Sequence, residues 1–255
     1  MKSIDLGQKC RPRQAGNVLF FILIAIALFA ALTFSFSRSS RMAGKMSFED
    51  SQIYAQQIIS YADKVNNALQ RVMLGNGCLE SQINFDNSTV AGYANAASPA
   101  NKKCNIFDSA GGVIAYEAPP SAALDTTAAA AAPVETGNDL LGQYFFTGKV
   151  CVDKVGTGPL ATCASDGLDN EELLLILPWV NYDVCVTINK ILGNSADMLQ
   201  ASGTSFDNTK FTGTFADGFA LGNAAYTTYQ TGCYQSVSAN SPGAGYHFYH
   251  TLLAR

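Results

Sequence analysis

The sequence is poor in the residues that carry out most chemistry. It has two histidines, His247 and His250, one tryptophan, and only 14% charged side chains. No Cys-x-x-Cys pair occurs, so a zinc ribbon or thioredoxin-like site has no anchor. There is no G-x-S-x-G, H-E-x-x-H, G-x-G-x-x-G or phosphate-loop pattern in a credible setting, and no Ser or Cys nucleophile has a His at a suggestive position. In a strand, residues three apart leave opposite faces, so His247 and His250 cannot readily chelate one metal, and both are expected to be half-buried or surface residues. No catalytic residue and no enzyme activity are expected. The acidic run SDGLDNEE holds oxygen ligands around a glycine, the chemistry of a Ca2+ site, with Asp166, Asp169 and Glu171 as its candidates. Its spacing does not match an EF-hand loop. A solvated acidic turn is the preferred reading, and no cofactor is expected.

Long apolar runs are also scarce, apart from one. Val18 to Phe36 is 19 residues without a charge. At the α-helical rise it spans about 28 Å, close to the ~30 Å hydrocarbon core of a bilayer. Lys2, Lys9, Arg11 and Arg13 precede it, and Arg38, Arg41 and Lys45 follow with Glu49 and Asp50. This modest basic excess before the run predicts a single-pass segment with its N-terminus inside. The run is longer than the core of an ordinary cleaved signal, and Ala43-Gly44 after Arg38 and Arg41 is a poor cleavage site, so a retained anchor is expected.

Charge and cysteine usage divide at the same place. Residues 1–45 carry 7 basic and 1 acidic side chains; residues 46–255 carry 9 basic and 19 acidic, a net charge near −10. The outer part is therefore a poor partner for nucleic acid or anionic lipid. Six of the seven cysteines, Cys78, Cys104, Cys151, Cys163, Cys185 and Cys233, follow the apolar run, while Cys10 precedes it. An even set on the far side predicts three disulfides in an oxidising compartment. Of the fifteen connectivities, neighbour pairing (78–104, 151–163, 185–233) closes short loops and is the one expected.

Residues 47–74 contain no Gly or Pro, and Tyr54, Ile58, Tyr61, Val65, Leu69 and Val72 form one apolar stripe at helical spacing. Ser47-Phe48-Glu49-Asp50 reads as a capping signal, and Gly75-Asn76-Gly77 as a stop. Residues 75–110 read as a long loop held by a disulfide. Gly112–Tyr116 is a short strand candidate. Residues 119–139 are an Ala/Pro/Thr low-complexity segment whose prolines and threonines argue against a stable helix at Ala128–Ala132. Gln143–Thr147 and Lys149–Val155 read as a β-pair turning at Gly148, and Glu171–Val180 as a central strand. A helix capped by Asn181 should end at Gly193. Phe206–Phe215 and Ala224–Gln230 are strand or loop candidates, and Gly245–Ala254 a final strand.

The order of basic leader RPRQAG, Gly16 and an apolar helix with no spacer resembles the class III leader of type IV pilins and type II secretion pseudopilins. The resemblance implies cleavage between Gly16 and Asn17 by a prepilin peptidase and methylation of the new N-terminus. It also implies an α+β, pilin-like fold: a leader (1–16), a long helix (17–74, with 17–36 transmembrane and 47–74 amphipathic) and a disulfide-bonded head (75–255) on an antiparallel sheet. Such a helix would be 58 residues and about 87 Å long. Implied partners are the inner membrane, other pilin-like subunits, the prepilin peptidase and an assembly platform, with the head periplasmic or on a surface filament. Val18, Phe21 and Phe36 would lie in the assembly segment. Two positions depart from the family: the mature chain would begin with Asn17 rather than Phe, and Phe21 stands where the family carries Glu. Loss of that Glu is a habit of the large tip subunit and points to a minor, tip or initiating role. A membrane-anchored scaffold or binding protein that never polymerises, or a tethered adhesin, is the alternative.

Overall fold

A computed structural model describes residues 20–29, 46–131, 140–152, 155–156, 171–194, 199–201, 209–216, 219–221, 229–236 and 244–255. The chain divides into two compact units, Met1–Lys45 and Met46–Arg255. In the first, residues 20–29 are helical and every one is exposed, with Phe21 at 63% and Phe29 at 72%. Among the described residues no helix is long and apolar enough to cross a membrane. The ends of the expected span, Val18 and Phe36, lie outside the described residues, as do Gly16, Asn17 and the stretch that would join the two halves of one long helix.

The second unit begins where the capping signal sits. Ser47 Oγ accepts from the Asp50 N–H at 3.1 Å, and Glu49 and Asp50 place negative charge on the positive end of the helix dipole. Helix α1, Phe48–Gln70, buries the expected stripe: Ile58, Tyr61, Val65 and Leu69 are inside, interleaved with the small residues Ala55, Ala62 and Ala68. The chain then widens into a π turn, Arg71–Gly75, which carries Val72 into the core before Gly77 adopts a φ of 65°. Residues 76–112 follow without strands, held by one parallel backbone bridge between Asn84 and Asn105 and by asparagine side chains. Asn95 Nδ2 donates to the carbonyls of Ser81 and Ile83, and Asn105 Oδ1 accepts from the Phe107 N–H.

The head is a six-stranded sheet in the order β3-β5-β6-β2-β1-β4. Its strands are β1 Phe145–Val152, β2 Glu172–Leu177, β3 Leu199–Ala201, β4 Phe219–Leu221, β5 Thr231–Ser236 and β6 Gly245–Leu253. The middle four, β5-β6-β2-β1, are antiparallel, and each outer strand joins in parallel. Two shorter helices punctuate the chain: α2, Thr126–Ala131, ahead of β1, and α3, Tyr182–Leu192, between β2 and β3. The Glu172–Leu177 run ELLLIL is buried throughout because both sides of β2 are covered. Leu173, Leu175 and Leu177 join the core under α1 and α3; Leu174 and Ile176 join a second core with Phe145, Trp179 and Tyr249.

Three expectations need correction. Gly148 is not a turn: β1 runs straight through it, with a register irregularity between Thr147 and Val150. The glycine is required for close approach, since a Cβ there would stand 2.9 Å from Phe211 Cδ2 and 3.0 Å from Phe215 Cδ1. Gly148→Ala is therefore expected to destabilise the head by about 1–3 kcal/mol, read as a lowered denaturation midpoint. Gly112–Tyr116 is not a strand, because no strand lies beside it. Residues 126–131 do form a helix: the Asp125 carboxylate accepts from the N–H groups of Thr127 and Ala128, and Ala129 is fully buried. The described part of Phe206–Phe215 is irregular, although Phe211 N–H donates to the Phe146 carbonyl at 2.9 Å; most of Ala224–Gln230 lies outside the described residues.

Candidate functional site

The disulfides stand where loops must be tied to the layers. Cys78 pairs with Cys104, closing the loop after the π turn onto the end of α1. Cys185, the buried fourth residue of α3, pairs with Cys233 of β5 and fixes that helix to the sheet. These are two of the three neighbour pairings. Cys151 is also disulfide-bonded, and Cys163 lies outside the described residues. Helix α3 is set by its own caps: Asn181 Oδ1 accepts from the Asp183 N–H at 3.0 Å, and Gly193 takes the left-handed conformation at φ 72°.

The histidines are buried, a correction to the half-buried reading. His247 Nδ1 accepts from the Trp179 N–H at 3.2 Å, and its ring packs against Trp179 and Tyr234. His250 Nδ1 lies 2.7 Å from Thr231 Oγ1. Burial pushes the His250 pKa down against the opposing pull of Asp63. Trp179 itself holds a φ of 52°, rare for so bulky a residue; its carbonyl accepts from Asp125 N–H and its ring is fully buried.

Of the acidic run, Asp166 and Asp169 lie outside the described residues, and Glu171 is not part of a solvated turn. Glu171 and Glu172 are both buried at the entry to β2. Val152 N–H donates to Glu172 Oε2 at 2.7 Å, while Oε1 has no partner among the described residues. Burial pushes the Glu172 carboxyl up to about 7; the hydrogen bonds and Arg255 counteract this, and Glu171 adds to it. Arg255 is in turn held by Glu80, with Nε 3.3 Å from Oε2, and lies over the Phe215 ring at 4.2 Å. Among the described residues no group of three or more metal-ligating side chains forms. The sequence carried a signal for this pair: two acids open a strand whose two faces are both apolar, so at least one had to enter a core.

The head also carries a cleft that sequence reasoning missed. One wall is α1, with Ile53, Gln56, Gln57, Ser60, Tyr61 and Lys64; the other is Glu117, Ala118 and Pro120, closed below by Tyr144. Its volume is about 600 Å3. The floor is aromatic: Tyr61 and Tyr144 stack at 4.4 Å between centroids, and Tyr116 meets Tyr61 edge-on at 6.5 Å. Tyr61 Oη accepts from the Glu117 N–H at 3.4 Å and Tyr116 Oη from the Tyr144 N–H at 2.9 Å. Burial raises all three phenol pKa values, so the floor stays neutral. Lys64 and Glu117, 3.2 Å apart and both half exposed, bridge the two walls. Such a site can position a polar ligand by hydrogen bonds; it holds no nucleophile activated by a neighbouring base. No family model, no curated protein and no solved structure matches this chain.

Proposed function

We propose that the chain is a pilin-like or minor pseudopilin-like structural subunit of a bacterial envelope filament or secretion machine. The observation that carries this reading is the order of elements in the sequence. A basic leader abuts Gly16, an uncharged 19-residue run follows at once, and a striped helix leads into the head. A helix laid by one apolar face on an antiparallel sheet, with disulfides at its loops, is consistent with the head such a subunit would need. The mechanism is mechanical. The subunit waits in the inner membrane with its head outside the cytoplasm. A prepilin peptidase removes residues 1–16, and an assembly platform extracts the chain. Apolar faces of the segment from Asn17 to Phe36 then pack on one another in place of lipid, and Phe21 keeps that packing free of a buried carboxylate. The exposed Phe20, Phe21, Ile22 and Leu23, spread around the helix, supply apolar surface for such packing.

A chain anchored by the same segment and never polymerised is the second reading, favoured by Phe21 where an assembly glutamate would stand. The mature N-terminus separates the two. In cells with a prepilin peptidase, intact-mass spectrometry is expected to find a chain beginning at N-methyl-Asn17, and Gly16→Leu is expected to abolish the cut. A chain retaining Met1, or one cut beyond residue 36, removes the filament reading.

A further inference from the structure

Helix α1 turns one face to the cleft. Ile53, Gln56, Gln57, Ser60, Tyr61 and Lys64 recur every three or four residues, so their side chains form one line about 16 Å long at the helical rise. The side chains of Gln56, Gln57 and Ser60 make no hydrogen bond among the described residues.

The floor carries the stronger signal. Tyr144 keeps only 2% of its surface exposed, yet its hydroxyl opens on the cleft and has no partner among the described residues. Its N–H, by contrast, is held by Tyr116 Oη. Tyr61, 3% exposed, accepts from the Glu117 N–H, and its own phenol proton has no acceptor among the described residues. Burial raises both phenol pKa values and the Glu117 charge adds to each, which puts both hydroxyls at the Glu117 end of the cleft. A buried phenol ordinarily finds a partner. Two phenol protons facing one space without an acceptor call for one from outside the chain.

The charges select against ions. Lys64 and Glu117 pair at 3.2 Å and cancel at the rim. A phosphate or carboxylate would also meet a head of net charge near −10. A cation would find one carboxylate, already paired. A purely apolar ligand would leave both phenols unsatisfied. A neutral molecule fits: a carbonyl oxygen for the phenols, several hydroxyls for the two amides and Ser60, and a small apolar surface for Ile53 and Pro120. The volume of about 600 Å3 is that of a small-molecule site, and its length accommodates two sugar rings.

We infer that this cleft binds a neutral glycan bearing an acetamido group, with the acetamido carbonyl on the Tyr61 and Tyr144 hydroxyls and the sugar hydroxyls on Gln56, Gln57 and Ser60. The site lies wholly in the head, so binding does not depend on whether the chain polymerises.

The test uses the full chain in micelles of a sugar-free detergent, lauryldimethylamine oxide, with N,N′-diacetylchitobiose titrated in and followed by calorimetry. Saturable binding is expected. It should be about five-fold or more tighter than that of cellobiose, which keeps the rings without the acetamido groups, or of acetyl-alanine methylamide, which keeps the carbonyl without the sugar. Tyr144→Phe removes a hydroxyl with no partner in the fold, so the melting temperature should hold while affinity falls about five-fold, the loss of one hydrogen bond. Gln57→Ala, an exposed change on the helix, should weaken binding in the same way. The inference is overturned by no saturable binding at millimolar sugar, by equal binding of cellobiose or of the methylamide, or by a folded Tyr144→Phe that binds as the wild type does.

Discussion

Replacing Cys185 and Cys233 together by alanine is expected to destabilise the head by about 4 kcal/mol, from the loop entropy released in the unfolded chain. The bond spans 48 residues of sequence and ties α3 to β5. Both sulfurs are fully buried, so alanine also leaves unfilled volume against Ile188 and Phe248 in the same core. For a domain of this size the melting temperature should fall by roughly 10 °C. The Cys78–Cys104 bond spans 26 residues, and its loss should cost slightly less, about 3.5 kcal/mol by the same relation. Trp179, the only tryptophan and fully buried, makes fluorescence-detected melting under non-reducing conditions the direct measurement. A fall of only one or two degrees for the Cys185–Cys233 pair would show that α3 is held by its caps and packing alone.

Glu172→Gln is expected to stabilise the head above neutral pH and to do little at pH 4. The sign follows from the raised carboxyl. Folding lifts it from 4.5 to about 7, so the folded state binds the proton more tightly than the unfolded state. The contribution is full below pH 4.5, declines as pH rises, and is gone above about 7, where Glu172 ionises inside the core beside Glu171. The lift corresponds to roughly 3 kcal/mol between the two limits. Glutamine keeps the acceptor for Val152 N–H without the charge and should remove most of that slope. His250 works in the opposite direction. Its pKa is depressed below 6.5 by burial, so its contribution is present above 6.5 and is lost as pH falls. Melting temperatures of wild type and Glu172→Gln across pH 4 to 9 test both signs. A stability curve for the variant that parallels the wild type would remove Glu172 from the account.

Much of the head was legible because local signals and burial agreed. The α1 stripe, the Ser47 cap, the Asn181–Gly193 limits of α3 and the central position of ELLLIL each follow from spacing or side-chain chemistry that acts within a few residues. The Cys78–Cys104 and Cys185–Cys233 pairings followed from short loop closure. The failures share a cause. Gly148 looks the same in a turn and in a strand that two phenylalanine rings approach; only Phe211 and Phe215, more than sixty residues away, distinguish them. Residues 126–131 have ordinary helix formers between breakers, and the burial of Ala129 tipped the balance. The 113–117 segment has strand alternation, but a strand also needs a neighbour, which no local pattern supplies.

The sequence by itself determined where the apolar segment, the charge boundary, the striped helix and the oxidised cysteines fall, because each depends on composition or on a period of a few residues. Tertiary structure alone decided that both histidines and the Glu171–Glu172 pair are buried, that both faces of β2 are covered, and that a cleft closed by Tyr61 and Tyr144 opens beside α1. Those features depend on which distant segments meet, and the free energy of a buried charge or an unpaired amide is set by what surrounds it rather than by its neighbours in the chain.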